Sequence, residues 1–166
     1  MCGNVRYCAT NDAGEITDLI LKDFTGDLYE YGIITSAKNN SDEMSVSGEY
    51  TYLVNGEKKT LSTNGKSLNA SSGPARLTIK DGQLDSVRVL DQIKNPDSVT
   101  QLGVTKDDES WLFADDCAVY LYQNLQYSLL SLTELRNNFD VYNITCYYDK
   151  DTENGGRIRI IVARPK

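Results

Sequence analysis

Alternating hydrophobic and polar residues predict a β-hairpin at residues 76–91, "RLTIKDGQLDSVRVLD". Leu77 and Ile79 alternate with polar residues before Asp81-Gly82, and the same alternation resumes after this pair. A period of two is typical of a strand with one buried face. Asp-Gly supplies the positive φ angles that a two-residue type I′ turn requires.

The same order of apolar strand, Asp-rich turn with glycine and apolar strand occurs near both ends, at residues 5–23 and 144–163. We interpret the three copies as the closing hairpins of a repeated small unit. The strand pattern breaks at 93–101, "IKNPDSVTQ", where a repeat boundary is expected. The sequence therefore predicts three regions: an N-terminal hairpin at 1–24, a first barrel at 25–94 and a second at 95–166.

Most of the remaining sequence also has strand-like patterns. Asn55-Gly56 is a strong hairpin signal, and two strands are predicted on either side of Asp115-Asp116. A short helix is predicted in each unit, at 25–31 and at 131–139. In the second helix, Ser131 and Glu134 match a capping box, and the apolar face comprises Leu132, Leu135 and Phe139. The predicted class is all-β with minor α, as two tandem small β-barrels of SH3-like or OB-like type.

Two segments, "TDLILKDFTGDLYEYGIITSAK" and "ARLTIKDGQLDSVRVL", resemble the small β-barrel repeats in large surface proteins of Gram-positive bacteria. Such proteins often also carry S-layer homology repeats that anchor them to the cell wall. The resemblance extends from Val5 to Arg164 and rests on the residue patterns of the hairpins, with no catalytic motif. It implies an extracellular, cell-wall-associated protein in which neighbouring repeats of the same chain are the partners.

If each unit closes with a hairpin, a chain that starts on one is expected to be a fragment of a longer protein. Residues 1–24 are then the remnant of a preceding repeat or pack on the first barrel, and Met1 is an expression start. The alternative is a complete cytoplasmic protein that begins with an ordinary strand.

The amino-acid composition of the chain argues against several classes of function. The chain has no histidine, which excludes Ser-His-Asp and Cys-His nucleophile systems and histidine-ligated zinc. It has neither of the two familiar glycine-rich phosphate-binding motifs. A net charge of −7 without a basic cluster argues against binding of nucleic acid or of anionic lipid membranes.

The four cysteines form no CxxC pair, so a zinc site built from them is not expected. Cys117 and Cys146 are predicted in strands of the same unit, either as a disulfide or as two buried apolar residues. Cys2 and Cys8 lie too far apart on one extended segment to bridge each other.

Acidic stretches offer weak candidates for chemistry. Residues 149–157, "DKDTENGGR", begin like a calcium-binding loop, but Asn154 replaces the required glycine and Ile160 the final glutamate. Asp107-Asp108-Glu109 and Asp115-Asp116 are adjacent acids, whose side chains point to opposite faces of a strand. We expect no enzyme activity, and the sequence assigns no catalytic, cofactor-binding or metal-binding residue.

The 11 tyrosines are the more distinctive feature, and most fall in or near predicted strands. Pairs two residues apart, such as Tyr120 and Tyr122, place both rings on one face of a sheet. Such a face either packs across strands or stacks sugar rings. The expected function is a non-catalytic structural or spacer module of a secreted or cell-wall-anchored bacterial surface protein. The alternative is a binding module for cell-wall or dietary polysaccharide that uses the tyrosine-bearing face.

Overall fold

A computed structural model describes residues 5–11, 13–21, 28–42 and 45–166 of the chain. Within these ranges it contains fourteen strands, one short α-helix and two 3₁₀ turns, at 139–141 and 152–154. In chain order the strands are β1 (Val5–Thr10), β2 (Ile16–Leu21), β3 (Leu28–Asp42), β4 (Ser45–Val54), β5 (Glu57–Ser62), β6 (Gly73–Lys80), β7 (Gln83–Val89), β8 (Asp91–Lys94), β9 (Ser98–Val99), β10 (Gly103–Lys106), β11 (Glu109–Gln123), β12 (Gln126–Leu129), β13 (Tyr142–Tyr148) and β14 (Ile158–Pro165). The helix, α1 (Leu132–Asn137), lies between β12 and β13.

The described strands form three sheets. β1 and β2 pair with each other in an antiparallel two-stranded sheet, which confirms a hairpin near the N-terminus. An antiparallel five-stranded sheet has the order β5-β4-β3-β6-β7. The third sheet, called the mixed sheet below, has the order β8-β13-β14-β11-β10-β9, and β12 pairs with β11. It is mixed because β11 and β14 run parallel.

The strongest turn signals of the sequence produce the hairpins that they predict. Asn55 and Gly56 have φ angles of 48° and 79° and join β4 to β5, whereas Asp81 and Gly82 have 50° and 75° and join β6 to β7. Positive φ at both central residues defines a type I′ turn, whose twist matches that of the flanking strands. These hairpins therefore form for a local reason.

The five-stranded sheet is curled around its own apolar core. Thr63, just after β5, forms a parallel bridge with Leu84 of β7, so the two edges of the sheet come together at one point. Inside the curl, Tyr50, Leu77 and Leu84 are each 0% exposed. This curvature is typical of small β-folds, in which a strongly twisted sheet covers its own buried face.

Helix α1 covers one face of the mixed sheet. Leu135 is the fully buried residue of the helix, and it packs with Ile144, Ile158 and Ile161 of the sheet. The helix begins as predicted, because the Glu134 backbone N–H donates to Ser131 Oγ at 3.0 Å. A polar oxygen at this position satisfies a backbone donor that the first turn leaves unpaired.

A third apolar cluster joins the two large sheets. Ile33 of β3 packs in it with Ile160 and Val162 of β14, with Tyr120 of β11 and with Leu90, the residue between β7 and β8. All five are buried. The sheets therefore share a core, which the sequence pattern did not indicate.

Three details of the sequence prediction differ from the structure. Residues 28–31 are strand, because they pair with β6 instead of forming a helical turn; residues 25–27 lie outside the described ranges. Asp115-Asp116 does not separate two strands, because β11 is continuous. Before this point β11 pairs with β10, and its pairing with β14 begins at Phe113 and resumes at Ala118 across a register shift. The chain changes sheet at Leu90, earlier than the predicted boundary after residue 94, since β8 pairs with β13.

The described strands support the all-β class with very little helix. They do not confirm two tandem barrels of SH3-like or OB-like type. The mixed sheet contains the parallel β11–β14 pair, and helix is found in the mixed-sheet half alone among the residues that the structure describes.

Candidate functional site

Several tyrosines are buried and contribute to the core of the protein. Tyr50 and Tyr52 are buried in the five-stranded sheet, where the Tyr50 hydroxyl accepts the Leu68 N–H at 3.0 Å. The Tyr52 hydroxyl donates to Glu30 Oε2 at 2.8 Å. Burial and this carboxylate raise the pKa of Tyr52 above its ordinary value. These two rings are structural.

The predicted tyrosine face of β11 is occupied by the other sheet. Tyr120 is 1% exposed within the shared core, and its hydroxyl accepts the Gly56 N–H of the β4–β5 turn at 3.1 Å. A ring in this position cannot stack on a sugar. Tyr122, on the same face, is only half-buried and lies at the rim of the junction.

Around Tyr122 the two sheets leave a pair of adjoining clefts, which we call the tyrosine clefts. The larger has a volume of about 620 Å³ and the smaller about 210 Å³. The larger lies between Ile34, Thr35, Leu53, Lys58 and Ser72 on one side and Tyr122, Leu125, Gln126 and Tyr127 on the other. The smaller is lined by Ser71, Ser72, Gly73, Pro74, Val89, Tyr127, Tyr147 and Arg164. Ser72 and Tyr127 line both, so the clefts are contiguous.

The aromatic rings of the clefts contact one another and an arginine side chain. The centroids of Tyr122 and Tyr127 are 4.5 Å apart, and the rings are tilted by 45°. The Arg164 guanidinium lies 4.9 Å from the Tyr122 ring centroid, and its positive charge also acts on the Tyr127 hydroxyl. Burial raises the pKa of Tyr127, and the positive charge of Arg164 partly opposes this effect. Tyr127 is therefore neutral at physiological pH and acts as a hydrogen-bonding group.

A second polar cluster, the junction cluster, links the sheets on the other side of the shared core. Its centre is Asp149, whose Oδ2 receives Arg159 Nε and Nη2 at 2.9 Å each and the Tyr31 hydroxyl at 3.3 Å. Asp149 Oδ1 accepts the Arg157 N–H at 2.9 Å. The Arg159 guanidinium also covers the Tyr31 ring at 4.4 Å and binds Asp116 at 3.0 Å.

The junction cluster keeps Asp149 ionised. Burial by itself raises the pKa of this carboxyl, but the Arg157 N–H, the Arg159 guanidinium and the Tyr31 hydroxyl together outweigh it, and the pKa lies below its usual value. The carboxylate receives four contacts from within the protein, three on Oδ2 and one on Oδ1. Asp149, the first acid of the calcium-like segment, thus has a structural role in holding β3 against β14.

The two runs of adjacent acids lie in different parts of the structure. Asp107 and Asp108 occupy the turn between β10 and β11 with positive φ, and Asp116 belongs to the junction cluster. In the part of the chain that the structure describes, no three side chains of the types that ligate metals lie close enough to hold an ion.

Cys117 and Cys146 are free thiols that pack in the apolar core of the mixed sheet, Cys117 half-buried and Cys146 buried, so the structure agrees with the apolar alternative instead of a disulfide. Cys146 is fully buried in the core of the mixed sheet, and burial raises its pKa. Burial, together with Asp116, raises the pKa of Cys117 to about 12. Cys2 lies outside the described residues, and Cys8 lies in β1.

Comparisons with known proteins add no identification. No family model, no curated protein and no solved structure matches the chain. Among the described residues there is also no helix long and apolar enough to span a membrane. The resemblance to Gram-positive surface repeats therefore stays a prediction from the sequence.

Proposed function

We propose that the chain is a non-catalytic structural or spacer module of a larger secreted or cell-wall-anchored bacterial surface protein. The shared core between the two large sheets is the observation that carries the proposal. Ile33, Ile160 and Val162 are at most 2% exposed within it. Separating the sheets would expose this apolar surface to water, which is unfavourable. A module built in this way keeps a fixed distance between the parts of a protein that it connects.

The finer form of the proposal treats the two large sheets as tandem repeat units of small-barrel type, SH3-like or OB-like, on the surface of a Gram-positive cell with S-layer-type anchoring. Two features support it. The edges of the five-stranded sheet meet through Thr63 and Leu84. The β6–β7 and β13–β14 hairpins have the same strand, Asp-rich turn, strand order.

Rigidity can be tested with pairs of spin labels. We would label Gln83→Cys in the five-stranded sheet and Arg136→Cys in α1, both exposed positions, in a chain that also carries Cys2→Ser and Cys8→Ser. We expect one narrow distance distribution. The control pair, Glu49→Cys with Gln83→Cys, lies within one sheet. A broad distribution between the sheets, next to a narrow control, would refute a rigid spacer.

Location is tested separately on the source bacterium. Antibodies against the purified module are expected to label intact cells, and brief protease treatment of intact cells is expected to remove the label. Labelling that requires permeabilised cells would overturn the proposed surface location.

The alternative function, polysaccharide binding, is favoured by one observation. The tyrosine clefts bring three half-buried tyrosines next to hydroxyl and amide side chains at the junction of the sheets. Ligand sites are typically concave, partly aromatic and located between packed units, with volumes of roughly 300–1,000 Å³. The larger cleft, at about 620 Å³, falls in this range. Binding would take place beside Tyr122 and Tyr127, since Tyr120 is buried.

A further inference from the structure

The charge of the tyrosine clefts is opposite to that of the protein. The chain has 24 acidic and 17 basic side chains, but the residues that line the clefts include Arg164 and Lys58 and no carboxylate. Both cations are exposed, and neither forms an ion pair with an acid among the described residues. A concave surface lined by one sign of charge attracts ligands of the opposite sign. The clefts are therefore suited to an anion.

Arg164 is held in place before any ligand arrives. Its guanidinium lies over the Tyr122 ring, 4.9 Å from the ring centroid, and its charge also interacts with Tyr127. A planar guanidinium presents pairs of N–H groups that match the two oxygens of a carboxylate. An arginine that is already ordered loses less conformational entropy on binding than a free one.

The remaining lining consists of neutral hydrogen-bonding groups. Thr35, Ser71 and Ser72 contribute hydroxyls, and Gln126 contributes an amide. Such groups bind the hydroxyls of a sugar ring, while half-buried tyrosines such as Tyr147 offer the apolar edge that sugars also contact. Two cations are too few to neutralise a nucleic-acid backbone, for which a larger basic patch is needed.

We propose that the tyrosine clefts bind an acidic oligosaccharide, a glycan whose sugar rings carry carboxylates, with Arg164 as the carboxylate-binding residue. This inference rests on the alternative function of polysaccharide binding and names its ligand class. Lys58, which lines the larger cleft, offers a second positive charge for another carboxylate of the same glycan.

The test compares three soluble probes by isothermal titration calorimetry with the full chain. The first is a tetramer of galacturonic acid, the second a neutral galactose tetramer, and the third a tetramer of glutamate. We expect the galacturonate tetramer to bind most tightly, and its affinity to fall as salt rises, because the attraction is partly ionic.

The matched variants are Arg164→Gln in the cleft and Arg136→Gln on α1, which removes the same charge from an exposed helix position. Loss of one charge-assisted pair is expected to weaken galacturonate binding by about tenfold or more, whereas Arg136→Gln should change it little. Arg164 and Arg136 are both exposed, so both variants should remain folded at the temperature of the titration, which circular dichroism checks.

The outcomes separate the two levels of the proposal. Equal binding of the neutral tetramer, unaffected by Arg164→Gln, would overturn the acidic ligand class and leave polysaccharide binding standing. Glutamate binding as tight as that of galacturonate would replace the sugar with an acidic peptide. No binding of any probe at millimolar concentration would refute both the ligand class and the polysaccharide-binding function.

Discussion

Asp149→Asn is the substitution that most directly tests how the two large sheets are held together. The variant keeps the shape of the side chain and removes its charge. The amide oxygen can still accept the Arg157 N–H, but the amide nitrogen then faces the Arg159 guanidinium and the Tyr31 hydroxyl. A donor thus meets donors at the junction of β3 and β14.

The expected cost follows from the burial of the cluster. The Asp149 side chain is 6% exposed, and breaking a buried ion pair by removing one partner costs about 3–5 kcal/mol. Arg159 is 24% exposed and keeps Asp116, so water and this second acid compensate part of the loss. We therefore expect the free energy of unfolding to fall by about 3 kcal/mol, the low end of that range.

The control is Asp116→Asn, which removes the other acid that binds the same guanidinium. The Asp116 side chain is 58% exposed, and surface ion pairs contribute about 0–1 kcal/mol. Both variants would be unfolded in urea and followed by far-UV circular dichroism and by the fluorescence of the single tryptophan, Trp111, which is buried against Tyr148. Coincident transitions by the two probes would justify a two-state treatment.

The pH dependence supplies a second readout with a defined sign. The pKa of Asp149 is lower in the folded protein than the value of about 3.9 for an unfolded aspartate. Its stabilisation is therefore complete above about pH 4 and is lost as the pH falls from there through the folded pKa. The difference between wild type and Asp149→Asn should be constant at neutral pH and shrink below about pH 4.

Two results would refute this reasoning. A loss below about 1 kcal/mol, equal to that of Asp116→Asn, would mean that Asp149 behaves as a surface acid. A difference that grows as the pH falls would contradict the lowered pKa of Asp149.

The remaining predictions concern a turn, the helix and the thiols. Gly56→Ala and Gly82→Ala should each lose about 1–2 kcal/mol of stability, because each places a side chain on a left-handed backbone. The new Cβ at position 56 would come within 2.7 Å of Leu129, but that side chain is exposed and can shift, so we expect similar losses for the two variants in urea unfolding; no loss at either turn would contradict the strain. Leu135→Ala should lower the free energy of unfolding by about 2–5 kcal/mol, since the side chain is fully buried, and a smaller loss would show that α1 packs loosely. With Cys2→Ser, Cys8→Ser and Cys117→Ser in place, Cys146 should react with a thiol reagent at pH 8 only as fast as the protein opens, because the thiol is fully buried and burial raises its pKa; rapid reaction in native buffer would contradict that burial.

Local signals in the sequence were sufficient where a feature depends on adjacent residues. Asp81-Gly82 and Asn55-Gly56 predict type I′ turns because few residue pairs tolerate two positive φ angles. Ser131 predicts the start of α1 because its hydroxyl reaches the backbone of the same turn. The alternation of apolar and polar residues on either side of these turns predicts the flanking strands.

The candidate site was only partly predictable, because it depends on residues that are far apart in the sequence. The spacing of Tyr120 and Tyr122 correctly places both on one face of β11, but spacing does not say what covers that face. The covering residue Ile33 and the turn residue Gly56 come from the other sheet. Arg164 and Lys58 gave no signal, since an isolated basic residue has no local pattern.

By itself, the sequence determined the all-β class, the Asn55-Gly56 and Asp81-Gly82 turns, the cap of α1 and the absence of histidine chemistry, since these follow from single residues or short periods. Only the tertiary structure decided the parallel pairing of β11 with β14, the change of sheet at Leu90 and the bond between Tyr31 and Asp149, which are 118 residues apart. Such contacts depend on which apolar faces meet when the whole chain closes, and their selection is made by burial shared among distant strands.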